Sequence, residues 1–243
     1  MLFLGDLMSI LTIAQETAAL VGAKIPMTLF NKNNAQSILF LSLLKDTLES
    51  IKRYGIWQES LKTASFSTLE GVSSYSFKEV VDDFFHLVPD TLIFKDKRQK
   101  LIGSVSIKKA SFGEVIGVGN ASFYIKEGAL FFLTPLPTGS EIEFHYISNN
   151  VVFNQEKNIY GNMESAFKKE PTADTDEPIF DAYLVKLGLI WRWYKRNALP
   201  YQEELLEYEK ELKKAFSATK SMKTIPLSTP KIRGGNLDVK TIA

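Results

Sequence analysis

The chain has 243 residues, of which 45% are hydrophobic and 23% charged, a composition typical of a folded protein with one or two domains. Its 29 basic and 28 acidic residues leave a formal net charge of +1, which argues against a dedicated, strongly basic nucleic-acid binder. It contains no cysteine, which excludes disulfides, thiolate metal sites and a cysteine nucleophile.

No segment predicts export or a membrane span. Residues 1–22 have no basic region and are interrupted by Asp6 and Glu16, unlike a signal peptide. The best uncharged apolar run, residues 37–44, is much shorter than the roughly 18 to 20 residues of a membrane span. We therefore expect a soluble protein with no membrane partner.

Two helices are predicted near the amino terminus. Thr12 and Gln15 have capping-box spacing, so we expect them to open a short helix that Gly22 ends; residues 1–7 would then be a leader before a start at Met8. A longer helix is predicted over residues 33–54. Its apolar positions recur at spacings of three and four: Ile38, Leu41, Leu44, Leu48 and Ile51.

The middle of the chain predicts strands. Residues 61–152 are rich in Thr, Ser, Val, Ile and Phe in period-two stretches. Strands are expected at 62–68, 73–77, 92–95, 101–107, 121–126, 129–134 and 141–147. A hairpin loop is predicted at 126–128 and a longer turn at 135–139. Residues 153–177 are polar and carry Asn, Gly and Pro, so a long loop is expected there.

A highly apolar helix is predicted from Asp181 to Arg196. All its charged side chains except Lys186 fall on a stripe roughly 100° wide, so either it is the central helix of one domain or copies of the chain cover it. Gly188 costs about 1 kcal/mol relative to Ala in mid-helix, which indicates a close helix contact. The predicted subunit-packing residues are Tyr183, Leu187, Gly188, Trp191, Trp193 and Tyr194.

A turn at residues 198–200 separates this helix from a last, one-sided helix that ends at Ser217. Its apolar face is predicted to comprise Tyr201, Leu205, Tyr208, Leu212 and Phe216.

Residues 218–243 lose all periodicity and carry five basic residues against one acidic residue. They are either a disordered tail without a role or an arm that orders on docking to a partner. The predicted docking residues of this arm are Lys220, Lys223, Ile225, Leu227, Lys231, Ile232, Arg233 and Leu237.

These patterns predict an α+β fold. Residues 8–60 and 178–217 would form an antiparallel helical bundle domain, with a β-rich domain of residues 61–152 inserted between its halves. The loop of residues 153–177 would lead back to the bundle, and residues 218–243 would form an extended C-terminal arm.

Motifs for catalysis are weak. His86 and His145 lack the neighbours of a zinc motif, and Gly117-Val118-Gly119 lacks the third glycine of a dinucleotide loop. Residues 192–196 mix basic and aromatic side chains, as do proteins that bind single-stranded nucleic acid. Helical geometry instead favours aromatic rings packed in the core, with the long Lys and Arg side chains extending over them to solvent.

Two acidic groups contain the carboxylate ligands that a hard cation needs. These are Asp82-Asp83 and a second group of Asp174, Asp176, Glu177 and Asp181. The second group is expected instead to decorate and cap the start of the following helix. We expect no catalytic, cofactor-binding or metal-binding residues.

Five stretches of the chain read, in order, ILTIAQETAALVG, RYGIWQES, FHLVPDTLIF, LFFLTPLPTGSEIEFHYISNNVV and ADTDEPIFDAYLVKLGLIWRWYKRNALPYQEELLEYEKELKKA. Together they resemble the head-to-tail adaptor (connector) proteins of short-tailed bacteriophages. The resemblance covers most of residues 8–217, and its most specific part is residues 173–201.

The resemblance implies a structural virion protein that is not an enzyme. Its expected partners are the portal protein, tail or nozzle proteins and further copies of itself in a ring of about twelve, as the resemblance implies. The ring would lie at the head–tail interface of a particle assembled in the host cytoplasm. Genomic DNA would pass through the lumen without sequence-specific binding, and residues 218–243 would dock to the portal. The alternative from a different class is a nucleic-acid-binding phage accessory protein.

Overall fold

A computed structural model of the chain describes residues 8–95, 99–101, 123–157 and 163–221, and its mixture of helices and sheets confirms the α+β class. The α-helices are α1 (Ile10–Leu20), α2 (Ala35–Tyr54), α3 (Phe77–Val80), α4 (Ala182–Arg196) and α5 (Gln202–Ser221). The strands are β1 (Leu61–Ser67), β2 (Ser74–Ser76), β3 (Phe84–Leu87), β4 (Ile93–Phe94), β5 (Gln99–Lys100), β6 (Phe123–Lys126), β7 (Ala129–Phe132), β8 (Glu141–Ser148), β9 (Val152–Lys157), β10 (Met163–Lys168) and β11 (Glu177–Pro178). None of the helices in these ranges is long and apolar enough to cross a membrane.

The N-cap of helix α1 lies three residues before the predicted cap, Thr12. Ser9 is the N-cap, and its side-chain oxygen accepts a hydrogen bond from the backbone N–H of Thr12 at 3.2 Å. Thr12 therefore lies in the first turn, and the capping-box interpretation of Thr12 and Gln15 is wrong because the serine three residues earlier supplies the cap. The predicted end is confirmed, since Gly22 follows the helix with a φ of 66° that favours glycine.

Helix α2 confirms the predicted 33–54 helix to within two residues. Asn34 caps it by accepting hydrogen bonds from the backbone N–H groups of Gln36 and Ser37. The predicted buried face is wrong at Ile38, which is 50% exposed. At about 100° per residue, Ile38 points nearly opposite to the fully buried Phe40.

Strand β8 is the centre of a five-stranded antiparallel sheet. β1 pairs along one of its edges, from Leu61 opposite Ile147 to Ser67 opposite Glu141. β3 and β4 share its other edge, and β5 pairs with β4. The inward side chains of β8 alternate as the pattern predicts, with Ile142, Phe144 and Tyr146 buried. Of the strand predicted at 101–107, only residue 101 lies within the described residues.

A smaller antiparallel sheet has the order β2, β7, β6. The predicted hairpin loop between β6 and β7 is confirmed: Lys126 pairs with Ala129, and Glu127 and Gly128 have φ values of 54° and 77°. Positive φ at both central residues is the geometry of a type I′ turn, whose twist matches that of the two strands.

Residues 153–177 are not one long loop, which corrects the sequence prediction. β9 and β10 form an antiparallel pair, from Val152 opposite Lys168 to Lys157 opposite Met163, and β11 pairs with the other edge of β9. The polar composition concealed one apolar cross-strand pair. Phe153 lies directly opposite Phe167, with ring centroids 5.9 Å apart.

The buried apolar side chains form two clusters. One joins α1, α2, α4 and α5 with Trp57, Val151 and Val152. The other lies among the strands and is largely aromatic, with the ring of Phe77 in contact with those of Phe84 and Phe144. The four long helices thus share one apolar cluster, and the two sheets that contain β8 and β7 share the other.

The two C-terminal helices are confirmed, with one change at the end. Tyr208 and Leu212 are buried and Leu205 and Phe216 pack against the same cluster, as the one-sided pattern predicts. α5 continues four residues past the predicted end at Ser217, so residues 218–221 of the predicted arm are helical. The apolar periodicity of the sequence therefore ends before the helix itself ends.

Candidate functional site

Helix α4 lies at the centre of the helical cluster. Asp181 caps it, with Oδ1 accepting a hydrogen bond from the backbone N–H of Leu184 at 2.9 Å. α1, α2 and α5 of the same chain all pack against α4. Its buried residues are Leu184, Val185, Leu187, Gly188 and Leu189. Of the two interpretations of this apolar helix, the structure supports the central helix of one folded unit for these positions, because other helices of the chain already cover them.

The six predicted subunit-packing residues differ in exposure. Leu187 and Gly188 are buried, so they lack the exposure that a contact with another copy needs. Trp191, Trp193 and Tyr194 are half-buried. Tyr183 is 47% exposed and is the member of the set with the most surface available to a neighbour.

Gly188 makes the close helix contact that the sequence predicts. A Cβ atom at this position would overlap the Cγ2 methyl of Thr47 on α2 and would lie 3.2 Å from Cε2 of Tyr208 on α5. Thr47 cannot rotate its methyl away freely, because its hydroxyl donates a hydrogen bond to the carbonyl oxygen of Leu43 at 2.7 Å. The absence of a side chain at Gly188 therefore permits three helices to meet.

The basic and aromatic residues at the end of α4 stack on one another. The guanidinium of Arg192 lies 4.3 Å from the ring centroid of Trp191 and donates to the carbonyl oxygen of Gly188 at 3.1 Å. The ammonium of Lys195 lies 5.7 Å from Trp191 and 5.9 Å from Tyr201. Burial lowers the pKa of Arg192. These contacts agree with packed rings beneath extended cations rather than with rings free to stack on bases.

The acidic group of residues 174–181 binds mainly backbone N–H groups. Oδ1 of Asp174 accepts from the N–H of Leu29 at 2.8 Å, and the carbonyl oxygen of Asp176 accepts from the N–H of Ile10 at 2.8 Å. The expectation that the group caps the next helix is correct for Asp181 and wrong for Asp174 and Asp176. The carbonyl oxygens of both residues instead hold the start of α1, and the side chain of Asp174 holds the loop before α2.

Asp176 is fully buried and paired. Its carboxylate accepts hydrogen bonds from Lys168 Nζ at 2.7 Å and from the backbone N–H groups of Thr172 and Ala173 at 2.7 and 3.0 Å. Burial raises its pKa, but these hydrogen bonds outweigh burial and hold the pKa below its ordinary value. Burial raises the pKa of the neighbouring Glu177.

The carboxylate of Asp83 connects β1 and β8 to the segment just before β9. It accepts hydrogen bonds from Lys62 Nζ at 2.7 Å, Tyr146 Oη at 2.8 Å, Ser148 Oγ at 2.7 Å and Asn150 Nδ2 at 3.0 Å. Burial raises the pKa of Asp83, whereas the hydrogen bonds lower it and prevail. Four donors already satisfy this carboxylate, so it has a structural role here rather than that of a cation ligand.

The remaining candidates for chemistry are dispersed. His145 Nδ1 lies 2.7 Å from the hydroxyl of Thr63, and His86 is on the exposed side of β3. Among the described residues, no group of three or more histidine, aspartate and glutamate side chains is close enough to hold a metal ion. Gly117-Val118-Gly119 lies outside the described residues.

The predicted docking arm lies almost entirely outside the described residues. Lys220 belongs to the last turn of α5. The other predicted docking residues, Lys223, Ile225, Leu227, Lys231, Ile232, Arg233 and Leu237, fall in the part of the chain that the structure does not describe.

Sequence reasoning missed an open apolar groove beside the start of α2. It has a volume of about 310 Å³, with Leu29, Phe30, Ile38 and Leu41 among its lining residues and Lys32 at its edge. It also missed Leu206, which is 65% exposed on α5. The signal for Leu206 was present, because this leucine lies off the apolar face that the helical spacing defines.

Comparison with known proteins gives no family assignment: no family model matches the chain, and a search of the curated proteins finds no match.

Proposed function

We propose that the chain is a structural virion protein, a head-to-tail adaptor of a short-tailed bacteriophage. In this role copies of it form a ring beneath the portal, extend the DNA channel and dock tail proteins, and the chain has no enzymatic activity. The observation that carries the proposal is that the first, second and last of the five segments that resemble that family meet in the helical cluster.

The contacts between these segments involve the residues that make the resemblance specific. The carbonyl oxygens of Asp174 and Asp176, from the acidic stretch, accept hydrogen bonds from the N–H groups of Leu11 and Ile10 in the first segment. Trp57 packs on Phe180 with ring centroids 5.6 Å apart. Together with the Gly188 contact described above, these interactions give a physical reason for the residue types and spacing that resemble the adaptors.

We further propose two domains. The helical domain comprises residues 8–60 and 178–217, and the β-rich domain of residues 61–152 is inserted between its halves. Support comes from the two separate apolar clusters and from α2, which precedes the strands but packs against α4, which follows them. The arm that docks to the portal would then comprise the chain beyond Ser221.

The proposed partners are the portal, tail or nozzle proteins, and further copies of the chain in a ring of about twelve, since closed cyclic symmetry is the usual form of such assemblies. Genomic DNA would pass through the lumen without sequence-specific binding. The formal net charge of +1 supports this role, because a strongly basic lumen would retain phosphates through counterion release. The stacking of Arg192 on Trp191 gives the rival nucleic-acid-binding role little support.

Cosedimentation with purified portal rings tests the proposal. The portal protein encoded in the same genome is mixed with the full-length chain, and a parallel sample contains duplex DNA at low and at moderate salt. We expect the chain to sediment with the portal and to leave the DNA free. Salt-dependent binding to DNA without binding to the portal would replace the adaptor with the nucleic-acid-binding alternative.

A further inference from the structure

One exposed surface of the helical part combines apolar side chains with unopposed positive charge. We call it the basic groove surface and define it as Lys24, Ile25, Met27, Lys32 and Ile38. Lys32 and Ile38 line the groove beside α2, and the other three residues lie in the segment between α1 and α2 that leads to it. Met27 is 91% exposed, Ile25 52% and Ile38 50%. An exposed apolar group of this size around a groove is typical of an interaction site.

Both charged members of this surface are lysines, although acidic side chains of other segments reach the groove, Glu170 at Lys45 and Asp174 at the backbone N–H of Leu29. From residue 17 to residue 45 the chain contains three lysines and no acidic residue. Lys24 and Lys32 form no ion pair with any residue in the described ranges, whereas Lys45 pairs with Glu170 at 2.6 Å. The surface therefore suits a partner that offers carboxylates beside an apolar side chain.

A second exposed surface has that chemistry. We call it the acidic helix surface and define it as Tyr183, Glu203, Leu206 and Glu207. Leu206 is 65% exposed, and Glu203 lies one helical turn before it on the same face. The hydroxyl of Tyr183 donates to Glu207 at 3.1 Å, which adds a second exposed ring to the surface.

The charge of the acidic helix surface is opposite to that of the groove. Residues 202–210 carry four glutamates and one lysine. Neither Glu203 nor Glu207 forms an ion pair with a described lysine or arginine. The two surfaces share no residue, so one copy of the chain presents both of them to its surroundings.

We propose that the acidic helix surface of one copy docks on the basic groove surface of the next. Leu206 enters the apolar groove, and Glu203 and Glu207 face Lys24 and Lys32. Because the two surfaces differ, the contact is head-to-tail and leaves each copy with one surface of each kind for its two neighbours. A second copy is the occupant that covers both surfaces in every subunit of a closed ring.

The inference rests on the proposed ring, for which it names the contact between neighbouring subunits. It also assigns a role to Tyr183, the most exposed of the predicted subunit-packing residues. The buried Leu187 and Gly188 contribute to the contact only by fixing the helices that carry it.

Charge reversal with rescue tests the contact in the full-length chain. One variant carries Glu203→Lys and Glu207→Lys, and the other carries Lys24→Glu and Lys32→Glu. Sedimentation equilibrium measures self-association up to submillimolar concentration at low salt. We expect each variant alone to associate about tenfold or more weakly than the wild type, because like charges then face each other.

A one-to-one mixture of the two variants should regain association, since each reversed surface meets a surface of opposite charge on the other variant. A variant that had only lost its fold would not be rescued by mixing. A control with Glu59→Lys and Glu70→Lys, exposed positions outside both surfaces, makes the same change in net charge as the Glu203→Lys, Glu207→Lys variant and should associate as the wild type does.

The inference is overturned if the wild type stays monomeric throughout, if both reversed variants associate like the wild type, or if their mixture is not rescued. Failure of the proposed function looks different. In that case the chain would self-associate through these surfaces and yet fail to bind portal rings. Conversely, portal binding that is unchanged in both reversed variants would retain the adaptor role and reject this contact.

Discussion

Replacement of Gly188 by alanine adds one Cβ atom where α2, α4 and α5 meet, and so tests how tightly the three helices pack. The added Cβ would overlap Cγ2 of Thr47 and approach Cε2 of Tyr208 to 3.2 Å. Overpacking of this kind costs about 1 to 3 kcal/mol, whereas alanine gains about 1 kcal/mol over glycine from helix propensity. We expect a net loss of about 1 kcal/mol, a decrease of about 2 to 4 °C in the melting temperature for a chain of this length.

The decisive comparison uses Thr47→Ser, which removes the Cγ2 methyl but keeps the hydroxyl that bonds to Leu43. In that background the main overlap disappears, so Gly188→Ala should become neutral or stabilising. Urea unfolding of the wild type, both single variants and the double variant gives a coupling energy, which we expect to be about 1 to 2 kcal/mol.

If the two substitutions are additive to within about 0.5 kcal/mol, Thr47 does not limit the space at Gly188 and the reasoning is refuted. Measurement of the slope of unfolding against urea concentration in all four proteins provides the control. A changed slope would show that the substitutions altered the surface area exposed on unfolding, so that the free energies could not be compared directly.

Three further predictions concern single positions and the arm. Ala198, which follows α4 with a φ of 54°, should gain about 0.5 to 1 kcal/mol of stability on Ala198→Gly, whereas Gly22→Ala should lose about 1 kcal/mol; thermal melts compare the two. Asp176→Asn should cost about 2 to 4 kcal/mol by leaving Lys168 without its buried partner. Because the pKa of Asp176 is depressed in the folded chain, its contribution is present above the unfolded pKa of about 3.9 and is lost as the pH falls through the folded value, so Asp176→Asn should flatten the acid branch of a melting profile. Truncation after Ser221 should leave the melting temperature unchanged and abolish portal binding in cosedimentation; undiminished binding would return the tail to a segment without a role.

The long helices were predictable because their apolar periodicity and their turn residues agree. The predicted residues at both ends of α2 are correct to within two positions, and Gly188 indicated a close contact that the structure contains. The start of α1 was misplaced because two overlapping spacings, Ser9 to Thr12 and Thr12 to Gln15, both suit a helix cap. Local sequence does not decide between them, since the packing of α1 against the rest of the chain also fixes where it begins.

The polar hairpin of β9 and β10 was missed for a different reason. Its strands carry Asn, Gln, Glu and Lys, so their apolar content falls below what a period-two pattern needs. The stabilising pair of Phe153 and Phe167 is separated by 14 positions in the sequence and becomes visible only in the register. Ile38 was assigned to the buried face because its spacing from Leu41 fits that face, whereas Leu206 lies off the apolar face of its helix and could have been identified as exposed.

A cryo-electron microscopy reconstruction of the mature particle tests the central claim most directly. We expect a closed ring of about twelve copies of this chain between the portal and the tail, since a head-to-tail contact closes by rotation. The helices of each copy should fit the density there with the fold described above. A particle in which other proteins fill all the density between the portal and the tail, with this chain elsewhere or absent, would contradict the account.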